Sequence, residues 1–273
     1  MHLSSLLIDV GDNPDRPRPG RLWLRNLYHV HQRLCMAFPS ASQKSEDAHF
    51  LQPFQPKDFG DQQVHVERQA DSGFLFRIDF PVQPYQRWEE PRPGGRAVIL
   101  VQSAVRPDWD YAFHNARHLL AAPPQVQSFA PCFTRGQSLR FRLAANPTRR
   151  LSRHSLEADG KPVKEASIGK RVPVHNDRLF DWLARRAETA GFAVQQDCTR
   201  VQPGYIYVNK KRDDKGHRLR TVRYDGILQV TDPDLFLDEA IIRGIGPGKA
   251  FGCGLVSTAP CQDAINLNPC EAA

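Results

Sequence analysis

The chain has 273 residues, with 37 Lys/Arg against 30 Asp/Glu and a formal charge of +7 at neutral pH. Its 40% hydrophobic and 25% charged residues match a globular protein with a proper core and exclude a disordered polyelectrolyte. No apolar run approaches the ~20 residues that a membrane-crossing helix needs, and six scattered cysteines without a C-x-x-C pair argue against a zinc knuckle or a disulfide framework.

Residues 3 to 10 alternate as a short strand, and the start MHLSSLLIDVGD lacks the basic leader and long apolar run of a signal peptide, so a cytoplasmic protein is expected. Asn26 then opens a helix that runs to about Phe38 and stops at Pro39-Ser40. Residues 41 to 72 and the Pro-rich stretch 81 to 96 read as surface insertions around the strand FLFRIDF, residues 74 to 80. Residues 97 to 105 (AVILVQSAV) are a second strand, PDWDYAFHNARHLL is a helix begun by Pro and Asp, and LRFRLAAN (139 to 146) is a strand with arginine on one face. The order is β-α-β-β-α-β. It recurs after a polar, basic stretch: KRVPV, a helix DRLFDWLARRAETAG ended by Gly191, two strands across a DDKG turn, a helix capped by Asp232 or Asp234, and the strand CGLVSTAP. The fold class is α+β, two tandem ferredoxin-like (RRM-like) βαββαβ domains at 1–146 and 167–260, with a linker at 147–166 and a loose tail at 261–273.

The positive charge is not spread evenly. Residues 209 to 223 hold seven Lys/Arg against two Asp, and residues 133 to 156 hold six Arg and no acid. Such clustering exceeds what solubility requires and points to nucleic acid, although a solvated charged hairpin has the same composition. Between the last helix and strand lies GIGPGKAFGCGL, whose glycines are Gly244, Gly246, Gly248, Gly252 and Gly254. It is not a mononucleotide loop: Gly248-Lys249 is followed by Ala250 instead of a hydroxyl residue, and the loop runs from helix to strand, which puts no helix N-terminus at an anion. The plainer reading is a tight connection whose glycines serve packing.

Several runs resemble the CRISPR-associated endoribonuclease CasE family of type I-E systems, within the wider superfamily of repeat-RNA-processing endonucleases. They are LYHVHQRLCMAFP, FLFRIDF, VILVQSAVRPDW, LRFRLAANPTRR, GKRVPV, WLARRAETAGF, GILQVTDP and GIGPGKAFGCGL, in the family's order from residue 3 to 260. The most specific is the last, where glycine-hydrophobic-glycine recurs after five residues. The resemblance implies that this loop lets chain and RNA backbone approach closely, with Lys249 an exposed cation beside the phosphates. It further implies cleavage of CRISPR repeat stem-loops, retention of the mature crRNA and association with the other subunits of Cascade. No cofactor, metal or membrane is expected.

Cleavage of RNA without metal uses the RNA's own 2′-OH as nucleophile, and needs a base for that proton, an acid for the leaving 5′-oxygen and cations for the phosphorane. The family's catalytic helix carries Tyr followed three residues later by His, and Tyr28 and His31 fill those positions, with Leu27 where relatives often carry proline. On the helix, Val30, Leu34 and Phe38 lie within about 60° of Leu27, and His31 at about 40° stands on the edge of that stripe. His29, about 200° round, faces the other way and cannot share a metal with His31. Without the resemblance, His31 reads equally as a boundary histidine and Tyr28 as a packing residue. Lys210, Lys211, Arg212, Arg218, Arg220 and Arg223 would line the RNA path, extended by Arg149 and Arg150. The alternative function is a non-catalytic RNA-binding scaffold subunit of a CRISPR ribonucleoprotein.

Overall fold

The computed structural model describes residues 1–11, 18–38, 73–80, 96–152, 165–209 and 216–261. The insertion read at 41–72, that read at 81–96 except for Arg96, the core of the expected linker and the tail beyond 261 lie outside the described residues. Two compact units emerge: the first comprises Met1–Ala130, Tyr207–His217 and Ala250–Gly252, and the second Pro131–Ile206, Arg218–Lys249 and Cys253–Ala273.

The first unit is built on a four-stranded antiparallel sheet of β1 (His2–Asp9), β2 (Phe74–Asp79), β3 (Arg96–Ser103) and β4 (Gln125–Ser128), in the order β2-β3-β1-β4. Alternation along β1 and β3 sends Leu6, Ile8, Ala97, Ile99 and Val101 to one buried face. Three helices supply the covering layer: α1 (Pro19–Leu24), α2 (Leu27–Cys35) and the short α3 (Trp109–Phe113). Trp23 meets Phe113 edge-on at 6.0 Å, and Arg33 ties α2 to α3 by donating to Ala112 O (3.0 Å) and Asn115 Oδ1 (2.8 Å). With α2 between β1 and β2 and α3 between β3 and β4, this is a ferredoxin-like βαββαβ unit.

The second unit repeats the plan. Its sheet runs β11 (Val256–Pro260), β5 (Ser138–Ala145), β10 (His217–Val230) and β8 (Phe192–Val194), and β9 (Arg200–Val208) pairs with β10. Helix α4 (Leu179–Glu188) and a helix over Pro233–Ile242, called α5 here, which widens to π geometry from Phe236, complete the pattern. Asp232 caps α5 by accepting from Leu235 N at 3.0 Å, and Gly191 closes α4 at φ +74°. Under α4, Trp182 stacks on Tyr224 at 6.4 Å, and the buried Tyr224 hydroxyl donates to Leu179 O.

Two strand assignments differ from the sequence reading. The strand at 139–146 does not close the first repeat; it is the opening strand of the second, held between β10 and β11, and the four-residue β4 takes the place expected of it. KRVPV does not open the second repeat: Arg171–Pro173 (β7) pairs with Thr148–Arg150 (β6) in a separate ribbon, which gives the expected linker structure at its near end. A strand's alternation shows which face is buried but not which neighbour it pairs with, so the same pattern fits either sheet.

Candidate functional site

Helix α2 begins where the sequence places it. The Asn26 side chain accepts from Tyr28 N at 3.2 Å, satisfying one of the otherwise open amides of the first turn. Leu27, Val30 and Leu34 are buried, His29 is exposed and Tyr28 is half-buried. His31 is 8% exposed, deeper than an edge position on the wheel suggests. Its ring lies near parallel to Phe74 (centroids 5.6 Å) and Phe76 (6.2 Å) of β2, and Nε2 is 3.6 Å from Cys35 Sγ, one helical turn on. An imidazole laid against two neighbouring phenylalanine rings of one strand face, themselves 6.3 Å apart, with a thiol at its Nε2, has its orientation fixed and little water around it. The i, i+3 spacing puts Tyr28 on the same side of the helix.

The sequence signals missed the partners of this histidine. Phe74 and Phe76 read only as residues of a strand, and their meeting with His31 is a long-range event. Cys35 is different: its i+4 spacing from His31 was legible.

In the glycine loop, all five glycines have positive φ, from +74° to +97°. Ile245 N donates to Gly254 O (2.9 Å) and Gly254 N to Ala144 O at the end of β5 (2.8 Å), so the loop is pinned to the second sheet. A Cβ on Gly246 would come within 2.9 Å of the Trp182 ring. In the first unit, a Cβ on Gly252 would stand 3.2 Å from Phe76, the ring against which His31 stacks. Two of the glycines therefore admit aromatic rings, so the packing role is present whatever else the loop meets. Gly244 and Gly254 are buried and Gly248 is half-buried, while Lys249 is exposed. Partial burial of its stem holds the Lys249 pKa below that of an ordinary lysine, against the pull of Glu239. Cys253, whose N–H donates to Gly248 O, is fully buried, and burial pushes its thiol up to about 12, so it stays protonated.

The basic residues divide into two groups. Arg149, Arg150 and Arg218 are exposed and enter none of the ion pairs among the described residues. Arg220 and Arg223 are committed within the second unit. Arg220 donates to Val174 O (2.6 Å) and to Asn176 Oδ1. Arg223 and Arg142 both bind Asp225, each at 2.6 Å. Burial raises the Asp225 carboxyl, but hydrogen bonds from Arg223 and Arg142 outweigh it and hold its pKa below the usual carboxylate value. Lys210, Lys211 and Arg212 lie outside the described residues. Among the described residues no group of three or more His, Cys, Asp or Glu is placed to hold a metal ion, and no helix is long and apolar enough to cross a membrane.

Residues 1–260 match the family model described as CRISPR associated protein. The chain is 33% identical over 193 residues to the CRISPR-associated endoribonuclease Cse3 of Thermus thermophilus, covering 67% of this chain and 80% of that protein. It is 27% identical over 242 residues to the CRISPR system Cascade subunit CasE of Escherichia coli K12, covering 88% and 95% respectively. Among solved structures, that of the CRISPR endoribonuclease Cse3 bound to a 19-nt RNA superposes with a TM-score of 0.62 at 28% identity, over 95% of this chain and all of that one.

Proposed function

Because this chain belongs to the CRISPR-associated CasE family, we infer that it is an endoribonuclease that cuts the stem-loop of CRISPR repeats in precursor RNA. It keeps the mature crRNA and takes its place among the subunits of Cascade in the cytoplasm. The observation that carries the reading is the capped helix α2, on which Tyr28 and His31 share one side and the His31 ring is seated against Phe74 and Phe76, with Cys35 at its Nε2.

The chemistry is a transesterification. The 2′-oxygen attacks the adjacent phosphorus, its proton passes to a base, and the bond from phosphorus to the 5′-oxygen breaks as that oxygen takes a proton. The products are a 2′,3′-cyclic phosphate and a 5′-OH. His31 moves a proton at one of these two oxygens, and Tyr28, one turn away, works beside it as hydrogen-bond donor to the ribose or phosphate. Arg149, Arg150, Arg218 and Lys249, exposed cations, supply phosphate contacts, together with Lys210, Lys211 and Arg212. A stem-loop suits them because A-form RNA is recognised through its backbone and shape. Arg220 and Arg223, already bonded to protein groups, serve mainly to brace β10.

The low exposure of His31 favours one competitor, an RNA-binding scaffold in which this histidine only packs. Incubation of a labelled repeat stem-loop with the protein in excess EDTA separates the two. Wild type is expected to cut, leaving a cyclic or 3′-phosphate, and His31→Ala to lose cleavage while holding RNA within a few-fold of wild-type affinity. His29→Ala, on the solvent side, is expected to cut normally. Binding without a cut by wild type, in EDTA and in added Mg²⁺ alike, would establish the scaffold.

A further inference from the structure

Asn26 does more than cap α2. Its Oδ1 accepts from Tyr28 N at 3.2 Å and also from Asn209 N at 3.2 Å, while its Nδ2 donates to Asn209 O at 2.8 Å. One side-chain amide thus closes a two-bond ring with the backbone of a residue 183 positions away, as a neighbouring strand would, and holds the first turn of α2 with the same oxygen. The amide orientation is settled by its partners, because turning it over would aim its NH₂ at two N–H groups and its oxygen at a carbonyl. Both residues belong to the first unit.

The residue type follows from the geometry. Aspartate caps a helix as well as asparagine does, but it has no donor and would face Asn209 O with a carboxylate oxygen. Serine caps too, and its shorter side chain cannot close the ring. Asn209 is the residue after β9, and the basic run Lys210-Lys211-Arg212 follows it directly in the sequence. Two residues beyond Asn26 is Tyr28. The amide therefore joins the end of the strand that precedes this basic run to the start of the helix that carries the proton-transfer pair.

We propose that Asn26 is a positioning residue: it sets the register between the end of β9 at Asn209, beside which the RNA backbone is held, and the Tyr28–His31 pair that acts on one phosphodiester. This rests on the nuclease reading above. A duplex gripped by its phosphates reaches the helix wherever the grip puts it, and a displacement of about 1 Å at the reacting atoms is enough to cost ~100-fold in rate.

The test compares Asn26→Asp and Asn26→Ser with wild type by single-turnover cleavage of an end-labelled repeat stem-loop, mapping the bond cut. RNA affinity and thermal midpoint are measured in parallel. Both variants keep a capping group, so the fold and the RNA affinity are expected to hold within a few-fold, while the cleavage rate falls about 10- to 100-fold and cuts spread to a neighbouring phosphodiester. Agreement between the two variants separates the lost donor from the charge that aspartate adds. A residue that merely stabilised the helix would move the thermal midpoint and leave the cut bond unchanged. Failure of wild type to cut would defeat the nuclease reading and this inference with it. Wild-type cleavage matched by both variants, in rate and at the same bond, would overturn this inference alone. Should either variant unfold, amide hydrogen exchange at Asn209 in the other decides the matter: wild-type protection there would mean that Asn26 does not hold that strand end.

Discussion

Helices α2 and α4 occupy the same place in their two βαββαβ units, each following the first strand, and they bury side chains at the same spacing. In α4 these are Leu179, Trp182 and Leu183; in α2 they are Leu27, Val30 and His31. Where the second unit puts a fully buried leucine, the first puts an imidazole against two phenylalanine rings. The starts differ as well. Asn26 caps α2 through its side chain, whereas Arg178 at the head of α4 makes no such bond. One repeat is furnished for packing, and its twin gives up part of that packing to hold a titratable group in a fixed pose. A polar ring in a position that suits leucine costs stability, a cost that function can retain.

The substitution that breaks the comparison most directly is His31→Leu, which makes α2 resemble α4. Cleavage should fall about 10²- to 10⁴-fold while the thermal midpoint holds or rises; a drop in midpoint as large as that of a core truncation would show that the imidazole is structural. Leu183→Ala, on the other helix, should cost about 2–5 kcal/mol in urea unfolding with cleavage per folded molecule unchanged. Gly252→Ala comes next: a positive φ of +76° and a Cβ 3.2 Å from Phe76 predict a loss of about 1–2 kcal/mol. Its cleavage should also slow, because the ring it displaces is the one that seats His31. The smallest effect concerns the brace in the second sheet. The Asp225 pKa is depressed in the folded protein, so the stability it contributes is present above the unfolded carboxylate value and is lost as pH falls through the folded one. Acid titration of urea stability should therefore slope less steeply in Asp225→Asn than in wild type.

Local signals carried the elements further than they carried the connections. The Asn26 cap, a cap at Asp232 or Asp234 and the Gly191 stop are short-range features that depend on backbone groups within a few residues; the structure has the first and last and decides the second for Asp232. The pairing of 138–145 was not legible, because its arginine-apolar alternation fits an edge of the first sheet as well as the middle of the second. The helical wheel put His31 on the margin of the apolar stripe, and only the approach of β2 decided that it is enclosed. Charge counting had a similar limit. Arg220 and Arg223 look identical to Arg218 in the sequence, yet Asn176 and Asp225 occupy the first two. For Arg223 a signal existed: Asp225 lies two residues on, hence on the same face of the strand.

The loop 244–254 has a consequence for how this chain can vary. Its five glycines all sit in the half of the backbone map that L residues avoid, so handedness, more than size, is the selective filter there. A saturating substitution survey scored by folding stability should return a comb, with teeth at 244, 246, 248, 252 and 254 and tolerance in the gaps where side chains face solvent, as at Lys249. Chemical synthesis offers the converse: a D-alanine fits the mirror-image torsions that its L form does not. The segment with the least side-chain information is thus the one whose chemistry is least free to drift.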